Sequence, residues 1–256
     1  MPTTVYFMDV GQGDGAVIVS PERKIAVIDA GGLKSLDTGS RIITPFLHSL
    51  GKSKVELLIP SHSDYDHIGG GAGLARNIQL KKVVLPKEKF SEDGLQLMKD
   101  ILKLVKAENV EFARKGKEYD LGGATLKLIS VPEYAVSGND ASTVVELKDT
   151  KTGRKALFTG DMTVKREAGL EDLGEYTVLK VGHHGSKGST SELFLDNIKP
   201  RLAVISCGYR NMYGHPHRAT LQRLENAGCK VLRTDESGCV QVELTEEGLK
   251  VKKWRT

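Results

Sequence analysis

At 256 residues, with 39% hydrophobic and 27% charged residues, the chain has the composition of a soluble globular protein, which excludes a disordered or low-complexity polymer. A net charge of +4 suits an anionic substrate but excludes a dedicated nucleic-acid-binding tail. Cys207, Cys229 and Cys239 form no CxxC pair, which excludes a disulfide framework and a zinc–thiolate knuckle, and no run approaches the roughly 20 apolar residues of a membrane span.

One domain over residues 1–256 is therefore expected, in a reducing compartment. Met1 leads into the apolar run 5–10 without a charged leader or a small-residue cleavage site, so the expected location is cytoplasmic. Nothing in the sequence specifies an oligomeric state.

Residues 5–9, 16–20 and 25–28 read as three short strands, divided by the turn Gly11-Gln12-Gly13-Asp14-Gly15 and by Pro21-Glu22-Arg23. No helix start and no Gly-Lys-Ser/Thr follows the glycine turn, so it is a tight turn rather than a phosphate loop. Residues 40–50 carry Ile42, Ile43, Phe46, Leu47 and Leu50 at helical spacing and stop at Gly51. A buried strand, 55–59, then runs straight into Ser61-His62. A helix over 69–77, a strand over 82–85 and an amphipathic helix over 95–105 follow, the last with Leu95, Met98, Ile101, Leu102 and Val105 inward. The rest of 88–120 reads as loosely organised. Strands at 124–130, 143–147 and 155–159 open a second sheet, followed by the strand 178–181, a helix over 191–197 and the strand 202–206. A helix over 219–227 and strands at 230–233 and 240–244 close the chain. Two strand-rich blocks, each followed by helices, predict an α+β protein of two sheets packed face to face with helices outside.

The segment Ser61-His62-Ser63-Asp64-Tyr65-Asp66-His67 sets four metal-ligand side chains within six positions at a strand end. Two imidazoles and two carboxylates turned to one place stay unsatisfied or repel without a cation between them. The plainer alternative is a solvated loop with Asp66 or His67 capping the next helix. Asp161 follows an apolar strand and a glycine, as a ligand at a strand end does, or as a cap before Thr163. His183 and His184 end another apolar strand. Neighbours on a strand alternate in direction, so one can coordinate while the other orients a partner or meets substrate. His215 and His217 flank Pro216, with His215 at the substrate or proton-transfer edge and His217 at a helix start. Asp14 and Asp29 either hydrogen-bond the ligating imidazoles or satisfy turn amides. Lys180, Lys187, Arg201 and Arg210 either steer a phosphate backbone or are solvated surface charge.

The His62–His67 segment resembles the His-x-[His/Asp]-x-Asp-His signature of metallo-β-lactamase-fold hydrolases. Further motifs resemble, in order, the hydrolase-like domain of ComEC-type competence (DNA-internalisation) proteins. They are Phe7-Met8-Asp9-Val10-Gly11-Gln12-Gly13-Asp14, Ile28-Asp29-Ala30-Gly31, Phe158-Thr159-Gly160-Asp161, Leu179-Lys180-Val181-Gly182-His183-His184-Gly185-Ser186 and Tyr213-Gly214-His215-Pro216. The resemblance covers nearly the whole chain. It implies a four-layer αββα sandwich with a metal centre at one edge, between the sheets, holding one or two divalent ions. His62 and Asp64 would serve one metal position and Asp66 and His67 the other, with Asp161 bridging them. His184 is preferred over His183 to complete the second position.

Many relatives of this fold carry another histidine between the first cluster and the bridging aspartate, yet this chain has none from Ile68 to Gly160. Asn139 or Asp140 is the candidate replacement, because the ComEC-type pattern has an Asn followed by a Ser there. An oxygen-rich site favours manganese, while its remaining imidazoles suit zinc. The expected function is a phosphodiesterase or nuclease acting on DNA through a metal-activated hydroxide, with Asp66 and His215 as catalytic residues. Two alternatives stay open: a hydrolase of a small ester, phosphoester or amide, and a metal-bearing binding domain without turnover. No aromatic-lined stacking motif is evident to separate the two enzymes.

Overall fold

Strands that are apolar on both sides must be covered on both sides. Along Ile25–Ala30, Ala26 and Ile28 enter one buried cluster while Ile25 and Val27 enter another, and Gly15–Val19 divides in the same way. A computed structural model describes residues 1–132, 138–170 and 173–254, and it shows where those faces go. The cluster holding Ala26 and Ile28 also takes Leu126, Leu128, Leu147, Phe158 and Val204, and so fills the space between two sheets. The cluster holding Ile25 and Val27 takes Leu47, Leu74, Met98 and Ile101 from helices on the outside. A third joins Leu157, Leu179 and Ala203 to Phe194, Leu195, Ile198 and Leu224, helical residues on the opposite outside. Three apolar layers thus cement helix, sheet, sheet and helix, the four-layer α+β sandwich expected.

The first sheet runs in the order Gly248–Trp254, Cys239–Thr245, Thr3–Phe7, Gly15–Val19, Ile25–Ala30, Leu57–Ile59, Val83–Leu85, Val110–Phe112. Its strands are antiparallel up to Ile25–Ala30 and parallel beyond it. The second runs Lys230–Arg233, Leu202–Ile205, Val178–Lys180, Lys155–Phe158, Val144–Asp149, Ala124–Ser130, Glu118–Asp120, the first four parallel and the rest antiparallel. Each sheet is half meander and half parallel. The loops leaving Leu57–Ile59, Lys155–Phe158, Val178–Lys180 and Leu202–Ile205 meet at one edge of the sandwich, where a parallel sheet offers its carboxyl ends to ligands.

Of the departures from the expected elements, two bear on packing. The helix Glu92–Leu102 buries Gly94, Met98 and Ile101, whereas Leu95 is 42% and Leu102 36% exposed. The inward stripe is therefore one position off the leucines. A Cβ on Gly94 would stand 2.4 Å from the Ser63 hydroxyl, so the helix makes its closest approach at a residue without a side chain. The sequence pattern does not predict the strands Val110–Phe112, Glu118–Asp120 and Gly248–Trp254. They lie at or next to sheet edges, and Gly248–Trp254 is rich in exposed lysines, a composition that guards an edge against further pairing. Among the described residues no helix is long and apolar enough to cross a membrane.

The offset stripe has a measurable consequence. Met98→Ala is expected to cost about 2–5 kcal/mol, and Leu95→Ala no more than about 0.5 kcal/mol, in urea denaturation. Equal costs would put Leu95 back in the core.

Candidate metal centre

The site starts from backbone that no larger residue could replace. The short helix Tyr65–Ile68 lies directly on the turn after Ile25–Ala30, where a Cβ on Gly31 would be 1.7 Å from the Asp66 carbonyl oxygen. Gly13 is also tight, where a Cβ would be 2.5 Å from the same oxygen, and the Asp14 amide donates to it at 2.8 Å. Asp29 sits at the strand end with φ +57. Its carboxylate accepts the Ser61 amide at 2.6 Å and the Ser61 hydroxyl at 2.9 Å, and lies 3.0 Å from His67 Nδ1. Asp64 occupies the helix N-cap position but makes no capping bond, which leaves its carboxylate free for other work.

Four residues from three segments of the chain converge, Asp66 and His67 from one helix, Asp161 and His184 from the turns after two strands. Ligand atoms of Asp66, His67, Asp161 and His184 all lie within 4.8 Å of one another. His67 Nε2 is 3.1 Å from Asp161 Oδ1, and His184 Nε2 is 3.2 Å from Asp66 Oδ2 and 3.5 Å from Asp161 Oδ2. Each imidazole is held from behind, His67 by Asp29 and His184 by the Ser206 carbonyl at 3.0 Å from Nδ1. A back acceptor on Nδ1 fixes the tautomer that turns the Nε2 lone pair forward. His67 Nε2 and Asp161 Oδ1 are buried and close, yet neither completes a hydrogen bond, a shortfall that a cation between them would answer. Two oxygens and two nitrogens form a donor set that fits zinc or manganese.

His62 and Asp64 stand beside this group as a pair. His62 Nε2 is 3.4 Å from Asp64 Oδ2, and the His62 and His67 rings are 4.1 Å apart between centroids. His62 Nδ1 faces Ser61 and Ser142, whose hydroxyls are 3.1 and 3.4 Å away. Ser142, from the stretch that carries no histidine, thus stands against His62 on the side of the ring opposite Asp64. Asn139 approaches His183 instead, its amide nitrogen 3.4 Å from Nδ1, and Asp140 accepts the Thr163 hydroxyl at 2.6 Å. Neither joins the four-residue group.

The alternation expected of His183 and His184 does not occur. Both have positive φ, +49 and +52, in the tight turn Gly182–Gly185, and both rings face Asp161. His184 is buried, whereas His183 is partly exposed with Nε2 3.7 Å from Asp161 Oδ2. His215 stands outside them, its ring centroid 5.4 Å from that of His183, with Nδ1 unpartnered. His217 is the N-cap residue of the helix Arg218–Asn226.

Burial disfavours charge at Asp66, His67, Asp161 and His184, and their neighbours overrule it. His184 and His67 hold the Asp161 carboxyl well below the usual carboxylate range, and His184 does the same for Asp66. In return Asp161 and Asp14 push His184 up to about 10 despite its burial, and Asp161 and Asp29 raise His67. Burial, with His184 and His183 beside it, lowers His215 to about 4.

Lys180 is a correction to the sequence reading. It is buried, not a steering cation, and its ammonium pairs with buried Asp14, whose Oδ1 lies 3.3 Å from His184 Nδ1. Arg201 precedes the first residue of Leu202–Ile205, at the end of that strand away from the site. Lys187 is exposed beside the histidine turn, and exposed Arg210 lies over the Tyr209 ring. Sequence reasoning missed Ser61 and Ser142, which brace His62, and the tyrosines Tyr65, Tyr209 and Tyr213. The spacing Gly208-Tyr209-Arg210-Asn211-Met212-Tyr213-Gly214, directly after a strand, was the available signal for two of those tyrosines.

Comparison with known proteins extends the picture. The sequence profile of the Metallo-beta-lactamase superfamily matches residues 8–209. The chain is 34% identical over 257 aligned positions to ComE operon protein 3 of Bacillus subtilis, covering 93% of this chain and 32% of that protein. It is 30% identical to Competence protein ComA of Neisseria gonorrhoeae, covering 98% of this chain and 34% of that one. The chain therefore spans about a third of the length of these curated relatives. Among solved structures, the metallo-beta-lactamase fold protein YhfI from Bacillus subtilis superposes with a TM-score of 0.58 at 11% identity, covering 98% of this chain and 100% of that one, a likeness of fold.

These charges predict the pH response of the protein in chelator. Folded His184 titrates at about 10, against roughly 6.5 in an unfolded chain. Its contribution is therefore fully present below the unfolded value and lost as pH rises toward the folded one. The depressed carboxyls of Asp66 and Asp161 contribute above the ordinary carboxylate range and lose that contribution as pH falls through their folded values. Urea titrations are expected to give maximal stability between roughly pH 5 and 6.5, with the alkaline decline flattened in His184→Gln. An unchanged decline in that variant would show that His184 does not carry it.

Proposed function

The chain belongs to the metallo-beta-lactamase superfamily, and on the chemistry of its site we propose that it is a divalent-metal-dependent phosphodiesterase acting on DNA. The observation that carries this reading is the convergence of Asp66, His67, Asp161 and His184 within 4.8 Å, with carboxylate-bearing Asp64 beside them. These four would hold one ion, and His62 and Asp64 flank it as donors for a second. A divalent cation held there would supply acidity to water and offset charge on phosphoryl oxygens.

The protein's own residues set up the rest. Asp29 and the Ser206 carbonyl keep His67 and His184 in the ligating tautomer. Lys180 neutralises Asp14 behind them, so the carboxylates aimed at the cation are Asp66 and Asp161. His215 stands at the rim of this group, its ring 5.4 Å from that of His183 and its Nδ1 unpartnered, placed to accept the proton released when water attacks. The oxygen-rich donor set favours manganese while admitting zinc. DNA as the substrate is supported by the relative named for competence, which matches 98% of this chain.

The test is to supply manganese, magnesium or zinc and offer labelled single- and double-stranded DNA, RNA and a bis-phosphodiester reporter. DNA cleavage with manganese is expected. His215→Ala should lower kcat by about 10²–10⁴, and Asp29→Asn should weaken metal affinity by about 10–100-fold. Activity with zinc alone would overturn the manganese preference. Turnover of a small ester without cleavage of any nucleic acid would replace the nuclease reading with the small-substrate one. Full activity in Asp161→Ala would remove the metal assignment.

A further inference from the structure

A cavity of about 630 Å³ adjoins the metal centre at Asp66, inside the roughly 300–1,000 Å³ range of small-ligand pockets. Asp66 belongs to both, as a member of the converging group and as part of the cavity wall. Three tyrosines stand in the remaining wall. Tyr65 adjoins Asp66, and Tyr209 and Tyr213 come from the loop that follows Leu202–Ile205. Tyr209 is 70% exposed, Met212 89% and Tyr213 59%, so large side chains face water on a loop at the mouth of the site. Exposed aromatic and apolar groups gathered at one place mark a recognition surface.

That loop is held in shape. The Asn211 amide donates to the Gly208 carbonyl at 2.9 Å and to the His215 carbonyl at 2.6 Å, while its oxygen accepts the His215 amide at 2.9 Å. The Gly208 amide donates to Gln12 Oε1 at 3.1 Å, and a Cβ on Gly208 would stand 2.8 Å from the Gln12 nitrogen. Aromatic side chains on a braced loop lose less freedom when a ligand arrives. Cations sit at the same rings, with the Arg210 guanidinium 5.1 Å from the Tyr209 centroid and Lys34 Nζ 5.7 Å from that of Tyr65. The Tyr213 ring stacks at 22° and 5.8 Å on His215, which links the cavity wall to the rim of the metal centre.

We propose that this cavity is a nucleobase-stacking subsite, seating one unpaired base of the strand being cleaved between Tyr65, Tyr209 and Tyr213, with Lys34 and Arg210 toward the neighbouring phosphates. The inference rests on the phosphodiesterase reading and adds the form of its substrate. A nucleotide unites a flat π face with an anionic phosphate one sugar away. The molecule offers the complement, an aromatic slot with cations beside a cation-binding centre. A base inside a duplex has both faces covered by its neighbours and must leave the stack to enter. Single strands and frayed ends are therefore the preferred substrates.

The experiment compares a single-stranded oligonucleotide with the same strand carrying an abasic residue at the cleaved position, in manganese, for the unaltered protein and for Tyr209→Ala and Tyr65→Ala. Removing the base is expected to lower kcat/KM on the order of tenfold in the unaltered protein, and much less in the tyrosine variants. A blunt duplex should be cut more slowly than the single strand. Equal cleavage of the normal and abasic strands overturns the subsite while leaving the nuclease reading intact. If no nucleic acid is cleaved, that reading fails and tyrosine fluorescence with deoxythymidine monophosphate decides the subsite. Quenching that is lost in Tyr209→Ala supports it, and absence of quenching overturns it.

Discussion

Two imidazoles facing two carboxylates in a buried crevice are the constraint on which the rest of the molecule depends. Such groups stay in place only if each is gripped from its far side and if something shares the charge in the middle. The grip comes from Asp29 and the Ser206 carbonyl, and behind them from the Lys180–Asp14 pair. These supporting groups stand at the ends of strands in both sheets, so the sandwich and its metal centre are not separable designs. Face-to-face packing brings the strand ends together, and the chemistry occupies the seam.

The same constraint explains where glycine is required. Gly13 and Gly31 press on the peptide that carries Asp66 and His67, and Gly160 has Ser61 and Ser142 within 3 Å of where its Cβ would be. Side chains at these points would separate the histidine loop from the strand ends that support it. The loop is thus defined as much by the room denied to its neighbours as by its own six residues.

Much of this was legible in the sequence. The apolar runs ending in Ser61-His62, Gly160-Asp161 and Gly182-His183-His184 announce strand ends that deliver ligand types, and the fold class follows from two strand-rich blocks. What stayed hidden was direction and partnership. Left-handed backbone at His183 turns both histidines one way, against the alternation that a strand implies. Lys180 reads as surface charge until its burial against Asp14 is seen. Tyr65 is separated by more than 140 positions from Tyr209, so no local pattern reports that they share a wall. The strand Gly248–Trp254, with lysines where an inner strand would be apolar, carries the signature of an edge and not of a core.

The return of Cys239–Thr245 to the first sheet has a kinetic side. Thr3 pairs with Leu244 and Phe7 with Val240, so the meander that carries Asp14 is flanked only when segments more than 230 residues apart have found each other. Contacts of such separation demand that a long loop be closed before any of its energy is recovered, which makes them slow to form. The strand that leads into the Asp14 turn is thus held on its other side by the longest-range pairing among the described strands, the contact of the first sheet that costs most in loop closure.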